Sequence, residues 1–328
     1  MQCMASKQGD VAMPIHPTTQ AHPVSRFDVL LERARQLPAV DVAVCYPLTR
    51  VALEGALESA SCGLIRPILV GPQDAIAQLA KTENLDIRQC ERIEAANEAE
   101  AARTSVALCR SRRASALMKG SLHTDEFLRP VMSKETGLRT LRRISHTFVM
   151  ETPAYSRILL ITDAAINILP SLEDKVDIVQ NAIDLAHVLG VPEPKVAILS
   201  AVETVHSSIL STIHAAALCK MAERGQIKGG ILDGPLAFDT AVSPEAMRIK
   251  HLTSSVAGQA DIVVVPDLES GNMLAKQLEY LGGASLAGIV TGAAVPIILT
   301  SRADSAKTRM TSAAVASLMH AGEELIVA

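Results

Sequence analysis

A chain of 328 residues has material for two domains or one large one, and its net charge near −4 argues against a general nucleic-acid binder. Aromatics make up only 2% and Trp is absent, so the core must come from Ala, Leu, Ile and Val, and a base-stacking platform is disfavoured. The six cysteines (Cys3, Cys45, Cys62, Cys90, Cys109, Cys219) are scattered without C-x-x-C spacing, which gives a zinc or disulfide framework little support and makes idle thiols in a reducing cytoplasm the simpler reading.

Residues 1–24 are polar, carry three prolines and read as a disordered leader with no secretory h-region. A helix is expected to begin near Phe27. Ten short apolar runs then read as strands: DVAVCYP, IRPILVGP, SALMKG, SHTFVM, RILLITD, KVAILS, GGILDG, DIVVVPD, AGIVTG and PIILTS. Amphipathic helices separate many of them, most clearly Glu173 to Gly190 and Glu203 to Gly225, each closed by a glycine suited to a C′ position. No run approaches the roughly 18 apolar residues of a membrane span. Strands alternating with helices of this length predict an α/β fold with a mostly parallel, doubly wound sheet. A domain boundary is expected at ETPAYS, Glu151 to Ser156.

In such sheets the loops at the carboxyl edge hold ligands. DGPLAFD (Asp233 to Asp239), PDLESGN (Pro266 to Asn272) and TSRADS (Thr300 to Ser305) follow three late strands and are expected to open there. Asp233 could serve a site or simply reverse the chain beside Gly-Pro. Asn272 could meet an anion at a helix N-terminus or belong to an ordinary cap. Ser301, Arg302 and Asp304 together offer groups that bind phosphate and move protons, with helix capping as the plainer alternative. After SALM come Lys119, Ser121, His123, Thr124 and Arg129. Arg139, Arg142 and Arg143 follow, and such a charge run is more often a solvated face than a site. Neither a G-x-x-x-x-G-K-[ST] loop nor a G-x-G-x-x-G turn is present, and the histidines have no metal spacing, so no metal site is expected.

MKGSLHTDEFLR, TGLRTLRRISH, LITDAAIN, DGPLAFD, SSVAGQADIVVVPDLESGNMLAKQL and PIILTSRADS occur in order and in strand–loop contexts. On these the chain resembles the phosphate acetyltransferase and phosphate butyryltransferase family from about Pro38 onward, most of all the acyltransferase part of bifunctional proteins that also carry an enoyl-CoA hydratase domain. The resemblance implies two α/β/α domains with mostly parallel sheets, similar to isocitrate and isopropylmalate dehydrogenases, with the active site in the interdomain cleft. It places domain 1 at residues 25–150 plus 296–328 and domain 2 at 151–295. It also implies a homodimer, acyl-CoA and CoA, phosphate and acyl phosphate as substrates, and no tightly bound cofactor.

The implied reaction is reversible transfer of an acyl group, acetyl by preference and butyryl as the alternative, between CoA and phosphate. The family pattern assigns Ser301 to the thiol or oxyanion, Arg302 to the acyl phosphate and Arg129 to phosphate. In the acetyltransferase pattern an Asp follows the Ser by about two helical turns, where this chain reads AKTR (Ala306 to Arg309). Asp304 fits the butyryltransferase-like version and is the expected base or thiol orienter, with Asp233 and Asn272 as positioning residues. Two other readings follow from the altered base position and the fold: a non-catalytic acetyl-CoA sensor, and, more distantly, a decarboxylating dehydrogenase.

Overall fold

The computed structural model describes residues 25–301 and 304–327, so the expected leader and Arg302 lie outside the described residues. In chain order it begins with α1 (Arg26–Arg35), β1 (Val40–Cys45), α2 (Arg50–Ser61), β2 (Ile65–Gly71), α3 (Gln73–Thr82) and β3 (Glu91–Glu94). Then come α4 (Glu98–Arg110), β4 (Ala116–Lys119), α5 (Thr124–Val131), β5 (Ser145–Glu151), β6 (Leu159–Thr162) and α6 (Leu172–Val188). β7 (Lys195–Leu199), α7 (Leu210–Glu223), β8 (Ile231–Leu236), α8 (Phe238–Val242), α9 (Pro244–Ile249) and β9 (Ile262–Val264) follow. The chain closes with α10 (Leu268–Tyr280), β10 (Ser285–Thr291), β11 (Ile297–Ile298) and α11 (Ala306–Val327).

All ten expected runs are strands. The additional strand, β3, reads Glu-Arg-Ile-Glu; it pairs with β2 at the sheet edge and has no apolar face to announce it. α6 ends as the glycine foresaw. Gly190 takes φ +95°, its N–H donates to the His187 carbonyl, and the Val191 N–H donates to Ala186. α7 starts at Leu210, seven residues later than expected, because the Thr212 hydroxyl bonds the backbone of His206 and Ile209 and holds that stretch as a turn.

The strands form one sheet in the order β3-β2-β1-β4-β11-β10-β5-β6-β9-β7-β8. β1 to β4 and β11 run parallel, as do β6 to β9, but β10 is antiparallel to both β11 and β5, and β5 is antiparallel to β6. These three reversals turn one half of the sheet over. The loops after β1, β4 and β11 open at one edge, and those after β6, β7, β8 and β9 open at the other. The expectation that the loops after β8, β9 and β11 share an edge is corrected accordingly.

One buried cluster runs beneath both halves, joining Phe27, Leu53 and Ala313 to Val179, Ile183 and Val264. On the opposite face the apolar side chains form two clusters. Phe127 and Val131 of α5 belong to the first and Ala275 of α10 to the second. Leu299, leading out of β11, packs in the first.

Candidate active site

The register Leu117↔Ile297 and Met118↔Ile298 sets the end of β4 beside the end of β11, so Lys119 to Ser121 emerge next to Leu299 to Ser301. Gly120 permits this crowding, since a Cβ there would overlap the carbonyl oxygens of Cys45 and Tyr46. The Ser121 hydroxyl donates to the Tyr46 carbonyl (2.6 Å) and accepts from the Leu48 N–H (2.9 Å), tying the loops after β1 and β4 together. His123 is the N-cap of α5 without a side-chain cap bond. Arg129, in the last turn of that helix, is exposed and pairs with Glu126 at 2.8 Å.

The segment after β11 is held from within and from below. Asp304 Oδ2 accepts the Ser301 N–H at 2.7 Å, and the Ser301 carbonyl accepts the Asp304 N–H at 3.2 Å. Ser301 itself is exposed, whereas Asp304 is only 3% exposed. Arg309, in the first turn of α11, is 1% exposed; it donates through Nη2 to the Ser301 carbonyl (3.0 Å) and through Nη1 to the Lys119 carbonyl (3.1 Å). Its stem crosses α2 at Gly55, the position where a Cβ would meet Arg309 Cδ at 2.7 Å. The buried Lys119 Nζ lies 3.5 Å from the Thr300 carbonyl. One guanidinium thus fixes the two neighbouring strand ends against each other.

Burial raises the Asp304 carboxyl above the ordinary carboxylate range, opposed by the Ser301 N–H and by the Lys276 ammonium. Lys276 comes from α10, whose N-cap Asp267 accepts the Ser270 N–H. Its Nζ stands 3.8 Å from Asp304 Oδ1 and 2.8 Å from Glu279. Asn272 lies one turn earlier on the same helix face and donates to the Ala164 carbonyl at 3.3 Å. Between the end of α10 and the start of α11, Glu279, Ser285, Ser305 and Thr308 line a cavity of about 180 Å³.

The structure therefore brings Ser301 and Asp304 together, with Asn272 on the helix that reaches them. It adds Lys276 and Arg309, which sequence reading did not single out. Asp233 lies elsewhere. It stands on β8, six places from β11 across the sheet, or roughly 29 Å at about 4.8 Å per strand. Its Oδ1 accepts the N–H of Gly234, and the β8 loop opens at the opposite edge. The arginine run is also at that edge, where Arg143 donates to Asn167 Oδ1 (2.6 Å) and pairs with Asp174 (2.8 Å), and Arg142 pairs with Asp184. Those contacts moor the segment before β5 to the loop after β6 and to α6.

Among the described residues no group of three or more His, Cys, Asp or Glu is placed to hold a metal ion. Burial pushes the thiols of Cys45, Cys109 and Cys219 up to about 12, which leaves them poor nucleophiles at neutral pH.

The profile of the phosphate acetyl/butaryl transferase family matches residues 73–317. A phosphate acetyltransferase of Rhizobium meliloti is 58% identical over 295 residues, covering 90% of this chain and 93% of that one. A phosphate butyryltransferase of Clostridium beijerinckii is 42% identical, again over 90% of this chain and 98% of that one. Among solved structures, a branched-chain phosphotransacylase from Enterococcus faecalis V583 aligns with a TM-score of 0.75 at 28% identity, covering 86% of this chain and 99% of that chain. A 4-hydroxythreonine-4-phosphate dehydrogenase from Klebsiella pneumoniae aligns with a TM-score of 0.53 at 12% identity, over 86% of this chain and 99% of that chain. This last likeness is one of fold alone, and it agrees with the dehydrogenase-like architecture expected from the sequence.

Proposed function

The chain belongs to the phosphate acetyl/butaryl transferase family, and on that premise we propose that it transfers an acetyl group reversibly between coenzyme A and orthophosphate. The observation that carries this reading is the 58% identity to a phosphate acetyltransferase across nearly the full length of both chains. The butyryl alternative draws on the 42% identical butyryltransferase and on the TSRADS form of the loop.

In the thiolysis direction, Asp304 takes the proton of the CoA thiol while the sulfur forms a bond to the acyl carbonyl carbon. The C–O bond to phosphate breaks, and its electron pair leaves with the phosphate. A thiol with a pKa near 8.5 needs only a weak base, and a carboxyl raised by burial is better matched to it than an ordinary one. The Ser301 hydroxyl steadies the thiol or the tetrahedral oxyanion, and a pre-positioned donor of that kind is worth about 3 kcal/mol. Arg302 takes the acyl phosphate, Arg129 the free phosphate, and Asn272 positions the approach from α10. Holding both substrates in one complex supplies the remaining advantage through proximity.

We further propose the division into residues 25–150 plus 296–328 and 151–295, with the substrates meeting between them. The apolar clusters on one face of the sheet divide near this boundary, with Val290 crossing into the first and Phe148 and Met150 into the second. A homodimer is supported by Val205, Leu210, Ile213 and Ile249, large apolar side chains that stand exposed in the second half. The unpaired described cysteines fit action in a reducing cytoplasm. No helix among the described residues is long and apolar enough to cross a membrane.

The test is release of free thiol from acetyl-, propionyl- and butyryl-CoA with and without phosphate. Phosphate-dependent release with the highest kcat/KM for acetyl-CoA is the expected result. A butyryl preference would replace the acyl group and keep the reaction. Binding of acetyl-CoA without release would favour a sensing role.

A further inference from the structure

The Asp304 carboxyl sits among charges from two helices. α10 supplies Lys276, 3.8 Å from Oδ1, and Glu279, 2.8 Å from that lysine. α11 supplies Arg309. The two carboxyl oxygens are not equivalent. Oδ2 accepts the Ser301 N–H, whereas Oδ1 is buried and has no hydrogen-bond partner among the described residues. A separation of 3.8 Å is too long for a hydrogen bond but close enough for a strong Coulomb interaction away from water. Lys276 is drawn aside by Glu279 and lies over the Tyr280 ring, 5.5 Å from its centroid.

We infer that Lys276 is a positioning residue for acyl transfer: it holds Asp304 ionised across the gap between α10 and the β11 loop without hydrogen-bonding Oδ1, whose lone pairs remain to accept the thiol proton. This rests on the acyltransferase reading given above. A buried carboxyl with no facing cation would take up a proton and cease to be a base. A cation bonded directly to Oδ1 would occupy the lone pair that the base needs. Lys276, restrained by Glu279, supplies the field without occupying the oxygen. Arg309 adds a weaker field of the same sign, its terminal nitrogens being turned to the carbonyls of Ser301 and Lys119 and not to the carboxyl. In the thiolysis direction the thiol proton moves to Oδ1 as the C–S bond forms and the C–O bond to phosphate breaks. In the reverse direction the same proton returns to the departing thiolate.

The test compares the parent with Lys276→Met and Lys276→Arg in two readouts. One is the pH dependence of kcat/KM for acetyl-CoA and phosphate. The other is the titration of the Asp304 carboxyl by NMR on protein labelled with ¹³C-aspartate, the signal being identified by its loss in Asp304→Asn. Lys276→Met is expected to raise both the acid limb and the Asp304 titration by about 1 unit or more. Lys276→Arg is expected to restore both towards the parent, and thermal unfolding confirms that the variants are folded. An Asp304 titration that does not move in Lys276→Met overturns the inference, as does one that moves while the acid limb stays in place. A folded parent that transfers no acetyl group, yet whose Asp304 titration responds to Lys276, overturns the functional reading and the proton-accepting role, while the ion pair itself stands.

Discussion

At the scale of single residues, the proposed site turns on a carboxyl group, Asp304, that is nearly out of water and held by one backbone N–H. Asp304→Asn keeps the side-chain oxygen that accepts the Ser301 N–H and removes the proton-accepting charge. It is expected to lower kcat by about 10²-fold or more, as loss of a general base does, while the unfolding midpoint changes little. Arg302→Gln is expected to remove most activity and to raise the KM for phosphate. Steady-state kinetics on the two variants separate the roles, and an Asp304→Asn enzyme as active as the parent would end the base assignment. Ser301, Arg302 and Asp304 were singled out in the sequence as three polar groups ending a buried strand, with helix capping as the plainer alternative. Lys276 and Arg309 were not. A lysine one turn after Asn272 looks like any solvated helix residue, and Arg309 in AKTR looks like a surface charge until α2 and β4 close over it.

At the scale of elements, strand identity was readable from short β-rich runs, but strand direction was not read from them. A clue was nonetheless present in the connections. Only residues 292–296 join β10 to β11 and only 152–158 join β5 to β6, whereas a parallel crossover needs a dozen or more. Connections that short account for two of the three reversals; the third, between β10 and β5, pairs strands far apart in the chain, and only with it is the second half of the sheet turned over and Asp233 carried away from Ser301. The packing of α2 against α11 carries its own prediction. Gly55 gives the Arg309 stem its passage, so Gly55→Ala forces the guanidinium aside and is expected to cost about 1–3 kcal/mol of stability as overpacking. The shift would also release the Ser301 carbonyl, so kcat should fall at temperatures where the variant is still folded. Denaturant unfolding and kinetics on the same preparation check both parts.

At the scale of the whole molecule, the sheet carries a buried base near its middle. His146 on β5 is 1% exposed, edge-on to Phe148 with centroids 4.4 Å apart, and its Nδ1 has no hydrogen-bond partner among the described residues. Burial lowers its pKa from 6.5 to about 4, so the folded protein holds it neutral. Above pH 6.5 the ring is neutral in both states and the contribution is constant. As pH falls from 6.5 to 4 the unfolded chain takes up a proton that the folded one refuses, and stability is lost, by about 3 kcal/mol in all. Asp163 and Asp304 act in the opposite sense. Burial raises both carboxyls, so they protonate first in the folded state and recover stability as the solution becomes acidic. The net acid response is therefore a difference, and His146 must be isolated by substitution. Between pH 7 and pH 4.5, urea unfolding should show His146→Gln losing about 2–3 kcal/mol less than the parent, whatever its stability at neutral pH. Equal losses in the two proteins would mean that the ring is already protonated, or already wet, at the centre of the sheet.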